Sequence, residues 1–399
     1  MKRGIAFLLV TLFVIIAIFF IWHVKDNNYE KQNYQGEKAG NLEEVMSDEE
    51  QTITTDYNCE ENKIKFDYPP VNLDKTLVFL PMGLMTDSHV TPIDHHYFQN
   101  FDNTKPDIEV YSPGEGIITE IQHMPNAKEG EDYRLVIEHS CNVSSIYIHI
   151  YFLSEKIKNH IGEKDYISVQ IPVEAGEIIG YYEKNVDYNL VDEGVVLDGF
   201  IVPEHYSGEP WKIHVPTNTY DYFNEPVKSK LIEKSLRTAE PMSGKIDYDI
   251  DGRLSGNWFL EGTDGYSGGG NREKYWINHL AIAYDAYDPD RIVFSIAGYD
   301  ERDSRQFAVK GNAPDPSVVS IEDGVIKYEL VEYYYITIEG NSWDMKSLVK
   351  GIKTETRDEV LGVVLVQLTE NRKLKFEILK GKTASQVNGF TNNFKIYER

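Results

Sequence analysis

The chain has only two cysteines, Cys59 and Cys141, and neither follows closely behind its N-terminal apolar run. A lipid attached to a cysteine is thereby excluded as the means of holding the protein at a membrane. Positive charge is also scarce: Lys and Arg total 40 against 65 Asp and Glu, a formal charge of −25. An acidic surface repels phosphate backbones and anionic headgroups, which argues against nucleic acid as a partner. It suits cations, cationic polymers or plain solubility in a salty exterior. Alanine is sparse beside 27 Tyr and 17 Phe, and Val/Ile runs are many, so the composition favours strands over helices.

What is present begins with a run of 19 uncharged residues, Gly4 to Trp22, directly behind Met1, Lys2 and Arg3. At helical rise it covers roughly 28 Å, close to the hydrocarbon thickness of a bilayer. Its positive flank predicts a single-pass anchor over 1–24 with the N-terminus cytoplasmic and the folded domains outside the cell membrane. A cleaved signal peptide has the same charge order, but its apolar core is shorter and ends in a small-x-small site. Here the run ends in Trp22-His23-Val24. Residues 25–56 are polar and acidic and read as a flexible tether, unable to bury enough surface to offset ordering entropy. Outside the membrane Cys59 and Cys141 are free to pair. That disulfide would close a loop of about 82 residues, worth roughly 4–5 kcal/mol in the chain-entropy model; two buried thiols are the alternative.

From Cys59 onward short strand signals dominate, at Leu77–Leu80, Glu109–Tyr111, Ile117–Ile121, Arg134–His139, Ser145–Phe152 and Val195–Val202. Leu153–His160 reads as a short helix, and Tyr220–Glu233 as a linker helix broken at Pro226. A second strand-rich block over 240–399 has its segments separated by Gly, Asn and Asp turns, which predicts an antiparallel barrel or sandwich. The expected division is therefore 57–222, a linker at 223–239, and 240–399.

The densest group of ligand-type side chains is Ser88-His89-Val90-Thr91-Pro92-Ile93-Asp94-His95-His96. Imidazole nitrogen and carboxylate oxygen are what a catalytic zinc takes, with a fourth position left for a water of lowered pKa. His149, in Ile146-Tyr147-Ile148-His149-Ile150, sits on a strand that would cross beneath this cluster. His139, His160, His205 and His214 read as structural or exposed.

The order of pieces resembles the M23 (lysostaphin/LytM-type) metallopeptidases, zinc enzymes that cut peptidoglycan cross-bridges. After the His/Asp segment comes Val110-Tyr111-Ser112-Pro113-Gly114-Glu115-Gly116-Ile117-Ile118, similar to the family's "V-x-A/S-P-x-x-G-x-V" turn. Tyr147-Ile148-His149-Ile150 resembles its "Y-x-H-L", and Val173-Glu174-Ala175-Gly176-Glu177-Ile178-Ile179-Gly180 its "V-x-x-G-Q-x-I-G". The likeness covers about 77–205 and implies a β domain of duplicated-hybrid-motif type. Carried onto this chain it makes His89 and Asp94 zinc ligands and His149 a catalytic-site histidine. The chain departs from the family twice. Its first His and Asp are five apart instead of four. The family's closing His-x-His strand would match Val196–Val202, where neither histidine occurs; Asp198, turned inward by a bulge, would complete a harder His89/Asp94/Asp198 site.

In the second block Gly256-Asn257-Trp258 is similar to the Gly-x-Trp of lipocalin-like (calycin) barrels. Asp247-Tyr248-Asp249-Ile250-Asp251-Gly252 has the opening of a calcium loop, with Asp247, Asp249 and Asp251 as oxygen ligands. Its twelfth position is Trp258 where a Glu is wanted, so an Asp-Gly turn is the preferred reading. Gly265–Gly270 lacks the Lys and Ser/Thr of a phosphate loop and reads as a mobile surface loop.

The fold class expected is mainly β: a transmembrane helix, an M23-like β domain, then a calycin-like antiparallel barrel. The expected function is a non-catalytic binding or structural module of the cell envelope with an incomplete metal site, a pseudoenzyme holding a wall peptide, glycan or small hydrophobic ligand. The alternative is a zinc endopeptidase working through a rearranged His/Asp/Asp site.

Overall fold

The computed structural model describes residues 64–124, 131–162, 164–270, 277–300, 303–370 and 372–399. The apolar run Gly4–Trp22, the acidic stretch 25–56 and Cys59 lie outside the described residues. Among the described residues no helix is long and apolar enough to cross a membrane. Cys141 stands exposed in a turn and is not a free thiol, which removes the buried-thiol reading for that residue.

The chain is mainly β. Its first part runs through β1 (Val78–Leu80), β2 (His96–Gln99), β3 (Ile108–Tyr111), β4 (Gly116–His123), β5 (Tyr133–Glu138), β6 (Val143–Ile150) and β7 (Phe152–Leu153). After α1 (Glu155–Ile161) come β8 (Tyr166–Val173), β9 (Ile178–Tyr182) and β10 (Asn185–Asp192). A seven-stranded sheet has the order β1-β2-β10-β6-β5-β4-β8, and a three-stranded sheet has the order β3-β9-β7. Alternation sorts each strand's side chains between two faces. Leu135, Ile137, Tyr147, Val186, Tyr188 and Leu190 join Val110, Ile179 and Tyr182 in one core between the sheets. The opposite face of β5, β6 and β10 carries Arg134, Ile146, Ile148, Asp187 and Asn189, which line a cavity.

The strand expected at Val195–Val202 is absent; those residues form turns leading into a 3-10 turn at Pro203–Tyr206. β10 ends at Asp192, whose carbonyl accepts from Val195 N–H at 2.8 Å and whose carboxylate accepts from Gly194 N–H at 2.9 Å. Leu197 and Phe200, whose apolar side chains read as a strand, instead enter a cluster with Tyr206, Phe259 and Tyr266. Burial explains their apolarity; pairing does not.

α2 (Val227–Lys234) begins directly after Pro226, as the break there predicts. The second part is a closed antiparallel barrel of eight strands: β11 (Gly256–Leu260), β12 (His279–Tyr284), β13 (Ile292–Asp300), β14 (Asp303–Val309), β15 (Ile326–Ile336), β16 (Lys353–Glu370), β17 (Lys373–Lys380) and β18 (Lys395–Glu398). Each strand pairs with its neighbour in sequence, and β11 meets β18 through Phe259–Glu398 and Leu260–Tyr397. Trp258, Leu280, Phe294, Phe307, Leu330, Val364 and Leu374 pack together in its core at full burial. Trp258 donates its indole N–H to Leu254 O at 2.9 Å, and the Arg399 guanidinium lies 4.1 Å over its ring.

The calcium-type segment is extended chain ending in the expected turn: Gly252 has φ 72°, and Arg253 N–H returns to Ile250 O at 3.0 Å. Each carboxylate there has a basic neighbour, Asp247 with Lys245 at 2.6 Å, Asp249 with Arg399 at 3.6 Å and Asp251 with Arg372 at 3.2 Å. With cations already supplied by the chain, the three do not converge on a calcium ion. The described residues form one compact unit. Within it the two parts approach closely at Gly244 (φ 103°), where a Cβ would lie 2.2 Å from the Met82 carbonyl oxygen.

Candidate functional site

The cavity on the outer face of the seven-stranded sheet has a volume of about 210 Å³. Four pieces of chain build it. The first is the sheet itself, through β5, β6 and β10. The second is the loop before β2, folded back on itself by Gly83 N–H to Ile93 O (2.8 Å) and Ile93 N–H to Leu84 O (3.0 Å), which presents His89 and Asp94. A 3-10 turn over Pro210–His214 adds Trp211 and Lys212, and the Gly265–Gly270 turn adds Tyr266. Tyr266 is 5% exposed and stacks on His279 at 4.8 Å. That corrects the surface-loop expectation: an aromatic ring among four glycines and a serine finds a buried slot.

His149 reaches the site through a bulge. Tyr133 pairs with Ile150 and Leu135 with Tyr147, so Ile148 and His149 together oppose the single residue Arg134. His149 takes a left-handed φ of 72°. Simple alternation would send it to the core face opposite Ile148; the extra residue returns it to the cavity side.

Charged groups then run in alternating sign across the sheet. Asp132 Oδ2 lies 3.0 Å from His149 Nδ1, and His149 Nε2 lies 3.7 Å from Asp187 Oδ2. Asp187 Oδ2 lies 3.4 Å from His95 Nε2, His95 Nδ1 lies 3.1 Å from Asp94 Oδ1, and Asp94 Oδ1 lies 3.7 Å from Lys212 Nζ. Asn189 donates Nδ2–H to Asp94 Oδ2 at 3.3 Å and to the Asp94 carbonyl at 3.1 Å. Lys212, 1% exposed, donates to Pro92 O at 3.2 Å and sits 4.8 Å over the Tyr266 ring.

The shifts follow from this wiring. Burial works against the charge on Asp94, but Lys212 and the His95 hydrogen bond outweigh it and hold the carboxyl well below the usual range. Burial likewise opposes the His149 cation, yet Asp132 and Asp187 push its value up to about 9. His95 is raised against its burial by Asp187 and Asp94. His89 goes the other way, pushed down to about 4 by burial and then by the positive charge of His95 and Lys212. Burial raises Glu209, which lines the same cavity.

These residues do not fit a zinc ion. A ligand carboxylate must offer an oxygen to the metal, and both Asp94 oxygens already face donors of the chain, with the Lys212 ammonium beside them. Among the described residues no three or more His, Cys, Asp or Glu side chains are grouped to hold a metal. The structure brings His89 and Asp94 to one cavity and links His149 to it through Asp187. It leaves Asp198 out. Asp198 is exposed and lines a different cleft with Asp247 and Asp249.

Sequence reasoning missed Asp187, Asn189, Lys212, Glu209 and Trp211. A signal existed for the first two: Val186, Tyr188 and Leu190 alternate with Asp187, Asn189 and Val191, the period of a strand with one polar stretch on one face. β10, not Val196–Val202, is the strand beside the His149 strand. Nothing local marks Lys212, whose role depends on a turn closing over a loop 120 residues earlier. His96 and His139 are structural: His96 bonds Leu80 O and Thr219 Oγ1, each at 3.1 Å, and His139 bonds Glu115 O at 2.8 Å and Ser145 Oγ at 3.0 Å. No family model matches this chain, and no curated protein matches it.

Proposed function

We propose that the protein is a membrane-anchored, outward-facing binding module of the cell envelope that holds a ligand in this cavity without hydrolysing it. Its first part is a degenerate M23-like domain of duplicated-hybrid-motif type, its second a calycin-like barrel, and a Cys59–Cys141 disulfide ties the start of the folded region to the β5–β6 turn. The order of motifs supports the family assignment, together with a strand next to His149 that presents two polar residues one apart. Where the family closes with His-x-His, that strand carries Asp187-Tyr188-Asn189. A carboxylate and an amide replace two imidazoles.

The observation that carries the non-catalytic reading is Lys212 Nζ, buried and 3.7 Å from Asp94. A fixed ammonium supplies inside the fold the positive charge that a peptidase draws from its metal, and it repels a second cation from the same carboxylate. Without a Lewis acid or activated water the site offers shape, apolar wall and hydrogen bonding, which are the means of binding.

The test is equilibrium dialysis of the full-length protein, in detergent, against zinc chloride, followed by elemental analysis. Zinc far below one per chain is expected. One tightly held zinc per chain that disappears in Asp94→Asn, with cleavage of wall peptides that disappears in His89→Ala, would install the zinc endopeptidase in its place.

A further inference from the structure

The charges lining the cavity can be matched one against another. Arg134 has Glu120 at 2.7 Å, Lys212 has Asp94 at 3.7 Å, and Asp187 lies between His95 at 3.4 Å and His149 at 3.7 Å. One lining charge is left over. Glu209 has neither hydrogen bond nor ion pair at its carboxylate among the described residues; Lys212 and His95 act on it only at longer range. A second acceptor is also unspent. Asn189, 6% exposed, commits its Nδ2 donors to Asp94, which leaves its buried Oδ1 without a partner. A buried acceptor left unsatisfied is destabilising, and a matching donor relieves that cost.

The rest of the lining says what should carry that donor. Val90, Ile93, Ile146 and Ile148 present apolar surface, and Trp211 adds aromatic surface. Aromatic faces attract cations, most strongly where water is displaced. Lys212 does not oppose a second cation at full strength, because Asp94 offsets its charge. The net charge of −25 further draws cations toward the surface.

We propose that the cavity binds an organic monocation, a primary ammonium on an apolar body, with Glu209 as counter-ion and Asn189 Oδ1 as hydrogen-bond acceptor. The ammonium sits between these two acceptors and the ring of Trp211, and the apolar body lies against Ile146 and Ile148. This deepens the binding reading of the same site and rests on it.

The experiment titrates phenethylamine, as its ammonium ion, into the full-length protein in non-ionic detergent by calorimetry. Hydrocinnamyl alcohol and hydrocinnamate serve as the neutral and anionic probes of similar shape. Saturable one-to-one binding of the ammonium is expected, with the other two weaker by about tenfold or more. Glu209→Gln should weaken the ammonium by about tenfold, whereas Glu209→Asp, which keeps the charge, should lose less. Trp211→Ala should weaken it as well. Parent-like thermal unfolding of each variant confirms that the fold survives. Alcohol or carboxylate binding as tightly as the ammonium, and unmoved by Glu209→Gln, would overturn the ligand class while leaving the cavity a binding site. Absence of saturable ammonium binding overturns the inference outright, and the zinc content measured above then decides separately whether the site is a hydrolase.

Discussion

A lysine with 1% of its surface exposed is unusual enough to require a partner, and Lys212 has one in Asp94. Desolvation offsets much of the attraction between them. Breaking the pair is a different matter, since it strands a buried charge. Lys212→Met should destabilise the protein by about 3–5 kcal/mol in urea unfolding. Adding Asp94→Asn to it should restore more than half of that loss. A single Lys212→Met variant with parental stability would contradict the structural role assigned to this ammonium. The glutamate beside it, Glu209, shows the complementary case: a partly buried acid that the fold leaves without a hydrogen bond.

Among the elements, β6 does most to shape the site, because its bulge moves one histidine from the core side to the cavity side. The left-handed conformation at His149 costs on the order of 1–3 kcal/mol. Two carboxylates, Asp132 and Asp187, offset that strain only while the ring is charged. The folded value of about 9 lies above the ordinary 6.5, so the protonated ring is the form that folding favours. Its contribution is therefore complete below about pH 6.5 and is lost as the pH climbs toward about 9. Unfolding free energy should decline across that window, and His149→Gln should flatten the decline. An identical slope in the variant would remove His149 as its source. The richness of Ser145–Phe152 in β-branched and aromatic residues made β6 legible from sequence, but a bulge changes which face a residue occupies without changing the composition around it. β10 was missed for a related reason: Asp187 and Asn189 lower its apparent hydrophobicity, although both are buried.

At the scale of the molecule, the sheet part and the barrel share side chains and do not merely adjoin. Leu197, Phe200 and Tyr206 pack with Phe259 of β11 and with Tyr266, and Val78 and Leu80 of β1 pack with Tyr287 and Trp343. Tyr266 belongs to the turn beside the barrel yet lines the cavity on the sheet. Urea unfolding of the full-length protein should therefore show one transition, coincident in far-ultraviolet circular dichroism and tryptophan fluorescence. Two separated midpoints would mean that these shared clusters do not couple the parts.

The sequence by itself determined the β-rich character, the antiparallel barrel opening at Gly256-Asn257-Trp258, the helix break at Pro226 and the gathering of histidines before β2. Those features depend on local periodicity, turn chemistry and composition, which a linear chain displays directly. Only the tertiary structure decided that Asp198 lies apart from His89 and Asp94, that Lys212 reaches Asp94, and that Tyr266 of a glycine-rich turn walls the cavity. Each of these joins segments distant in the chain, and the electrostatic energy that rules them depends on separation in space and on burial. Neither quantity is written in the order of residues.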